Sequence, residues 1–400
     1  MPLTVLLGPN ASGKSNLLDA LNLLGAMVTQ RTIKDAFERH RGLPIEAFFA
    51  GKESIDKLLG KPSLTFSIVV DVELSRETIQ RTEKLIRDMR EGLPSRRGPV
   101  RRVTERFLRY ALTIEYLPSA GILRVGNERL VALNDNGSER KSRNAFIEAV
   151  PNRLVLRMEG QAHPTYHDLG LPYTLISTSL YPPHYPHVTA FREELSRWCF
   201  YYFEPRIMRD ETPLREVDAI GPHGSDLAGF FNTLKVKNEK QFNALCRTLR
   251  EVIPTATRVD TERTPEGLVR LRLYENGTYY SSRVMSEGTL RVLGLLAILS
   301  PGVPTTTLGF EEPENGVHPR RLRNIARLLQ NASESSGVQI IVTTHSPKLP
   351  EYFPTGTLIV CLREKQETQF RYFESLGPLF LHEEVETALE ERIIRGDLGG

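Results

Sequence analysis

An eight-residue stretch near the start constrains this chain more than anything else in it. Gly8–Ser15 reads GPNASGKS and fits the pattern G-x-x-x-x-G-K-S. The apolar run Leu3–Leu7 precedes it, and a helix-like run from Asn16 follows. Strand, glycine-rich turn and helix N-terminus, in that order, is the context in which the pattern has a mechanism. Backbone N–H groups of such a loop, with the positive end of the helix behind it, face phosphate oxygens. The lysine reaches the β- and γ-phosphates, and the serine hydroxyl holds Mg2+. Gly8, Pro9, Asn10, Ala11, Ser12, Gly13, Lys14, Ser15 and Asn16 are the candidate nucleotide contacts.

Composition narrows the remaining classes. The chain has 400 residues, enough for two or three domains. Three scattered cysteines, Cys199, Cys246 and Cys361, supply neither a disulfide framework nor metal-ligand spacing. They suit a reducing compartment, and a cytoplasmic protein is expected. No run approaches the ~18 apolar residues of a membrane span, and no signal peptide is recognisable. Four histidines, His163, His167, His184 and His187, lack a cysteine or acidic partner at ligand spacing, so no metal site is expected there. The formal net charge is only +3, but Arg96, Arg97, Arg101 and Arg102 cluster in GLPSRRGPVRR. Glycine and proline make that segment a loop. It is a candidate nucleic-acid contact through phosphates, without the interleaved aromatics that stack bases.

Ser63–Leu74 alternates with β-branched residues and predicts a strand, and Glu77–Arg90 predicts a charged helix. From Phe107 to Leu156, strand-like runs separated by turn residues predict an antiparallel meander. Val188–Phe203 predicts a helix whose aromatic end, Trp198 to Phe203, lies in a core or at a domain joint. Glu239–Val252 predicts a helix and Gly267–Tyr274 a strand. In the last third, Ser286–Leu299 predicts a capped apolar helix. Thr306–Phe310 and Val338–Thr343 predict short buried strands, 357–373 two more strands, and 383–395 a charged helix.

Three features of that last third bear on chemistry. Glu311 and Glu312 follow a predicted strand, and successive residues leaving a strand point to different sides. One carboxylate can then serve the metal and the next can orient or deprotonate the attacking water. His345 closes the following strand, within reach of the γ-phosphate or that water. Ser286, Glu287 and Gly288 open a helix and form a second anion cradle. Because the first loop already has its own helix, the second cradle suits a nucleotide held by another copy. That predicts a two-fold homodimer with two nucleotides in its interface.

The order GPNASGKS, SEGTLR, FEEPENGVHP, TTHSP resembles the ATP-binding-cassette ATPases of the SMC/RecF class. More closely it is similar to standalone bacterial AAA-family ATPases related to the OLD-type ATPase domain. The resemblance covers roughly the first 30 residues and 280–350. It implies an α/β P-loop NTPase with an ABC-type ATPase head, a mixed sheet, an antiparallel β lobe and a helical insert. It assigns Walker A to Gly8–Ser15, the signature to Ser286–Gly288 and the Walker B acid to Glu311. The catalytic glutamate falls on Glu312, the D-loop on Glu314–His318 and the switch histidine on His345. ATP over GTP rests on this resemblance, and ATP and Mg2+ are the implied cofactors. The expected division is 1–75 with 268–375 as the ATPase core, 76–267 as the insert and 376–400 as a helical tail. The phenylalanine-containing strand that usually precedes the loop is absent, which implies a truncated start. The Q-loop glutamine has no assigned counterpart.

Two functions stay open at this stage. In one, a Mg-dependent ATPase works as a nucleotide-sandwich dimer, a conformational switch in DNA repair and maintenance or anti-phage defence. In the other, the ATPase controls a partner effector protein, such as a nuclease, without strong DNA binding of its own. The basic loop favours the first. The lack of a second catalytic motif favours the other.

Overall fold

The computed structural model describes residues 2–48, 53–91, 102–161, 163–365 and 367–376. The chain divides into two compact units, Met1–Leu18 with Cys199–Gly400, and Asp19–Trp198.

The first unit is built on a six-stranded sheet. Its order is Glu367–Tyr372, Leu358–Glu364, Leu3–Leu7, Gln339–Thr344, Thr307–Glu311, Trp198–Tyr201. Leu3, Val5, Leu6 and Leu7 are all at most 3% exposed, as a strand covered on both faces must be. Each such side chain contributes about 1.5–3 kcal/mol through burial. The helices Glu287–Ile298 and Leu322–Ser336 add to the same core through Leu290, Leu293, Ile325 and Leu329. Glycine at Gly337, with φ 69°, ends the second of these helices. A small antiparallel sheet, with Ala256–Arg263, Leu268–Glu275 and Thr278–Ser281 in order, completes this unit.

The second unit carries a six-stranded antiparallel sheet that follows chain order from Leu64–Glu73 to Thr165–Asp168. The predicted meander is therefore present, with one strand more at each end. His187 is fully buried here, and its Nε2 accepts the backbone N–H groups of Thr104 and Glu105, both at 2.9 Å. Its Nδ1 lies 2.7 Å from a Glu159 carboxylate oxygen, so the ring ties loop to helix.

Two expectations are corrected. The helix expected over Val188–Phe203 stops at Ser196, and Trp198–Tyr201 is an edge strand. Aromatic residues accept either conformation, and pairing beside Thr307–Glu311 decides in favour of the strand. Phe203 packs its ring 4.8 Å from that of Phe310. The unit boundaries also differ from those expected at 75/76 and 267/268. Leu64–Glu73 pairs along its whole length with Phe107–Leu117, which places it in the second unit. Leu227–Lys237 and Glu239–Val252 bury Phe231, Phe242 and Leu249 in one core with Val5 and Leu7, which places them in the first. The helical tail expected over 376–400 lies, from residue 377 on, outside the described residues.

Candidate nucleotide site

Strand register assembles the site. Leu3–Leu7 runs parallel to Gln339–Thr344 with Leu7 beside Thr344. Gln339–Thr344 runs parallel to Thr307–Glu311 with Glu311 beside Thr343. Parallel strands in step end together, so Gly8, Glu312 and His345 all leave the sheet at one carboxyl edge. Such edges are where α/β folds bind ligands.

The loop from Gly8 leads into the helix Lys14–Thr29, whose first N–H groups have no intrahelical acceptor. Lys14 is 6% exposed, and its Nζ donates to the carbonyls of Gly8 at 2.7 Å and Pro9 at 2.8 Å. Burial lowers its pKa, while the carboxylates of Glu312 and Glu314 pull it back up. Ser15 Oγ donates to Glu311 Oε2 at 3.2 Å. A hydroxyl and a carboxylate oxygen converging at the mouth of a phosphate loop are hard donors of the kind Mg2+ takes. Mg2+ keeps few protein ligands and completes its shell with water and phosphate. No cluster of three or more His, Cys, Asp or Glu side chains arranged for a metal occurs among the described residues.

Glu312 turns away from Glu311. Its backbone sits at φ 49°, and its N–H donates to the Thr343 carbonyl at 3.0 Å. Its Oε1 lies 3.1 Å from His345 Nδ1, and Asn315 Nδ2 donates to its Oε2. The structure thus joins Ser15 to Glu311 and Glu312 to His345, the two pairs that sequence reasoning named separately.

Ser286 is the N-cap of Glu287–Ile298, its Oγ accepting the Thr289 N–H at 3.2 Å. Gly288 lies against the next loop so closely that a Cβ there would meet the Gly316 carbonyl oxygen at 2.2 Å. Among the arginines at 96, 97, 101 and 102, only Arg102 falls within the described residues, and it is exposed.

Sequence reasoning gave no individual role to Asn315, Glu314 or Arg291. Glu314 is buried, accepts from Thr344 Oγ1, and accepts from the Ser346 N–H at 3.3 Å. Burial raises its pKa. Arg291 is 9% exposed, and its Nε and Nη1 have no hydrogen-bond partner among the described residues. Burial lowers its pKa, against the charges of Glu287, Glu312 and Glu314. The spelling PENG marks a turn but does not say which of its side chains turns inward.

A phosphate loop, an acidic pair and a histidine at one edge of a mainly parallel sheet define the P-loop ATPase class. Residues 3–349 match the family described as "AAA domain, putative AbiEii toxin, Type IV TA system", and the chain belongs to it. Among solved structures it is similar to an Smc head bound to the C-terminal winged-helix domain of ScpA. There the TM-score is 0.52 at 12% identity, over 94% of this chain and 91% of that one. It is also similar to the Smc head with an extended coiled coil from Pyrococcus furiosus, bound to the C-terminal domain of ScpA. That match has a TM-score of 0.51 at 12% identity, over 96% of this chain and 93% of that one. At such identities the likeness is one of fold: an SMC-head-like AAA-family ATPase. No curated protein matches the sequence. Among the described residues, no helix is long and apolar enough to cross a membrane.

Proposed function

We propose that the protein is a cytoplasmic, Mg2+-dependent ATPase in which two copies sandwich two ATP molecules head to tail. ATP binding would close the pair and hydrolysis would open it. The process so driven is DNA repair and maintenance or anti-phage defence. The observation that carries this reading is the common edge of three parallel strands, which brings Ser15 to Glu311 and Glu312 to His345.

In this reading the Gly8–Ser15 loop and Asn16 bind the phosphates, and Lys14 exchanges the carbonyls of Gly8 and Pro9 for phosphate oxygens. Ser15 and Glu311 hold Mg2+, which neutralises charge on the phosphate oxygens. Glu312, steadied by His345 and Asn315, orients a water and takes its proton as the oxygen bonds to the γ-phosphorus. The bond from that phosphorus to the β–γ bridging oxygen breaks, leaving ADP and phosphate. His345 serves the γ-phosphate or the water. Ser286, Glu287 and Gly288 serve the γ-phosphate of the partner copy. Ser286 supports this by opening a twelve-residue helix with its cap already formed.

The test is ATP turnover and oligomeric state measured together for wild type and Glu312→Gln, with and without DNA. The variant is expected to lose hydrolysis by ~10²–10⁴-fold, the usual worth of a general base, and to persist as an ATP-bound dimer. Unchanged turnover would sink the assignment of Glu312. Stimulation of the wild type by DNA favours the switch acting on DNA.

A second reading, control of a partner effector protein, has its own support. The Asp19–Trp198 unit offers a broad antiparallel sheet, and the Smc heads of this fold are seen with a bound protein domain. Hydrolysis that depends on Glu312 but ignores DNA would favour it.

A further inference from the structure

The phosphate loop is held from two sides. From inside, Lys14 Nζ spans the carbonyls of Gly8 and Pro9. From outside, the hairpin Leu358–Glu364 and Glu367–Tyr372 grips two further carbonyls of the loop, those of Ala11 and Ser12. Arg363 Nη1 donates to the Ala11 carbonyl at 3.3 Å, and Thr368 Oγ1 donates to the Ser12 carbonyl at 2.9 Å. Arg363 and Thr368 are direct cross-strand partners, so one rung of the ladder supplies both donors. The approach is close: a Cβ on Gly13, whose φ is 99°, would lie 2.1 Å from Thr368 Oγ1.

The consequence follows from peptide geometry. In a planar trans peptide the C=O and N–H point opposite ways. Holding the Ser12 carbonyl against the hairpin therefore turns the Gly13 N–H away from it, toward the inside of the loop. The Arg363 bond fixes the preceding peptide plane in the same sense, and the Ser12 N–H then donates to the Pro9 carbonyl at 3.3 Å. When phosphate claims the Lys14 ammonium, the inner tie is given up. The outer bonds face away from the ligand and need not change.

We infer that Thr368 and Arg363 are positioning residues: an outer brace that holds the Ala11–Ser12 turn and keeps the Gly13 N–H aimed at phosphate while Lys14 is engaged with it. This rests on the nucleotide-site reading above, and the experiment separates the two.

Calorimetric binding of ATP and of AMP, with steady-state KM and kcat, is measured for the full chain. Thr368→Val keeps the shape and removes the donor. It should raise Kd and KM for ATP about tenfold, the worth of one hydrogen bond near a charge, with kcat within about twofold. AMP, which lacks the β-phosphate, should bind as to wild type. Thr368→Ser restores the donor and should restore ATP affinity. Arg363→Ala alters an exposed side chain and should raise Kd about threefold, which decides the matter even if the valine variant fails to fold. Wild-type ATP affinity in both Thr368→Val and Arg363→Ala would overturn the brace, as would a serine variant as weak as the valine one. Lys14→Ala is the control. If it binds ATP like wild type, the nucleotide-site reading itself falls; if it fails while both hairpin variants bind normally, only the brace does.

Discussion

Glu312 sits at φ 49°, a left-handed conformation that non-glycine residues adopt at a cost of order 1 kcal/mol or more. The surroundings hold it there. Its N–H is fixed on Thr343, and its two carboxylate oxygens are taken by His345 and Asn315. The kink re-aims the side chain, so that adjacent glutamates serve different partners. Asn315 is then more than a turn residue. Asn315→Ala should lower kcat about tenfold with KM unchanged, because only the orientation of the base is lost. Initial rates over a range of ATP concentrations would show it, and an unchanged kcat would reduce Asn315 to packing. Asn315→Asp, which sets a like charge against Glu312, should be worse than alanine.

The helix Glu287–Ile298 is buried from Gly288 to Ile298, and apart from Thr289 and Arg291 that stretch is apolar. A buried helix still needs its first N–H groups satisfied, and Ser286 takes that of Thr289. Ser286→Ala should cost about 1 kcal/mol, read as a lower urea midpoint without nucleotide. Ser286→Asp separates capping from phosphate binding. Aspartate caps as well as serine, so stability should hold. Its charge would repel a partner's γ-phosphate, so the ATP-dependent dimer should be lost. A dimer that survives the aspartate would remove Ser286 from the nucleotide interface. Both termini of this helix are legible from the residues alone, because cap and apolar run coincide. The neighbouring element was not legible. Pro186–Ser196 and Trp198–Tyr201 form one apolar, aromatic stretch, and only the sheet edge beside Thr307–Glu311 splits it into helix and strand.

At the scale of the molecule, the two units have separate cores, and a buried carboxyl gives the second a dependence on pH. In the Asp19–Trp198 unit, Glu128 lies on the strand Ile122–Ala132 and is fully buried. It accepts from Tyr110 Oη at 2.9 Å and from the Leu175 and Ile176 N–H groups at 2.7 and 3.3 Å. Burial outweighs these donors and pushes its pKa up to about 7. The folded state then holds the proton more tightly than the unfolded chain. Its stabilising contribution is complete below about pH 4.5 and is lost as pH rises toward 7, amounting to about 3 kcal/mol. Urea unfolding followed through Trp198, the single tryptophan, should give a lower midpoint at pH 8 than at pH 5. Glu128→Gln should flatten that slope. A slope unchanged in Glu128→Gln would place the titration elsewhere.

The residues alone determined the phosphate loop, the acidic pair, the histidine and the cap, because each is a local pattern whose chemistry depends on neighbours within a few positions. They also determined the α/β class, since buried strands and capped helices carry their own periodicity. Tertiary structure decided what no local pattern encodes. Register through Leu3–Leu7, Gln339–Thr344 and Thr307–Glu311 brings together Ser15 and Glu311, 296 positions apart. Long-range pairing assigns Leu64–Glu73 to the second unit and converts Trp198–Tyr201 to a strand. One rung of a C-terminal hairpin meets the carbonyls of Ala11 and Ser12. The physical reason is the same in each case. A backbone hydrogen bond names its partner by position in space, and sequence spacing carries that position only over a turn or two.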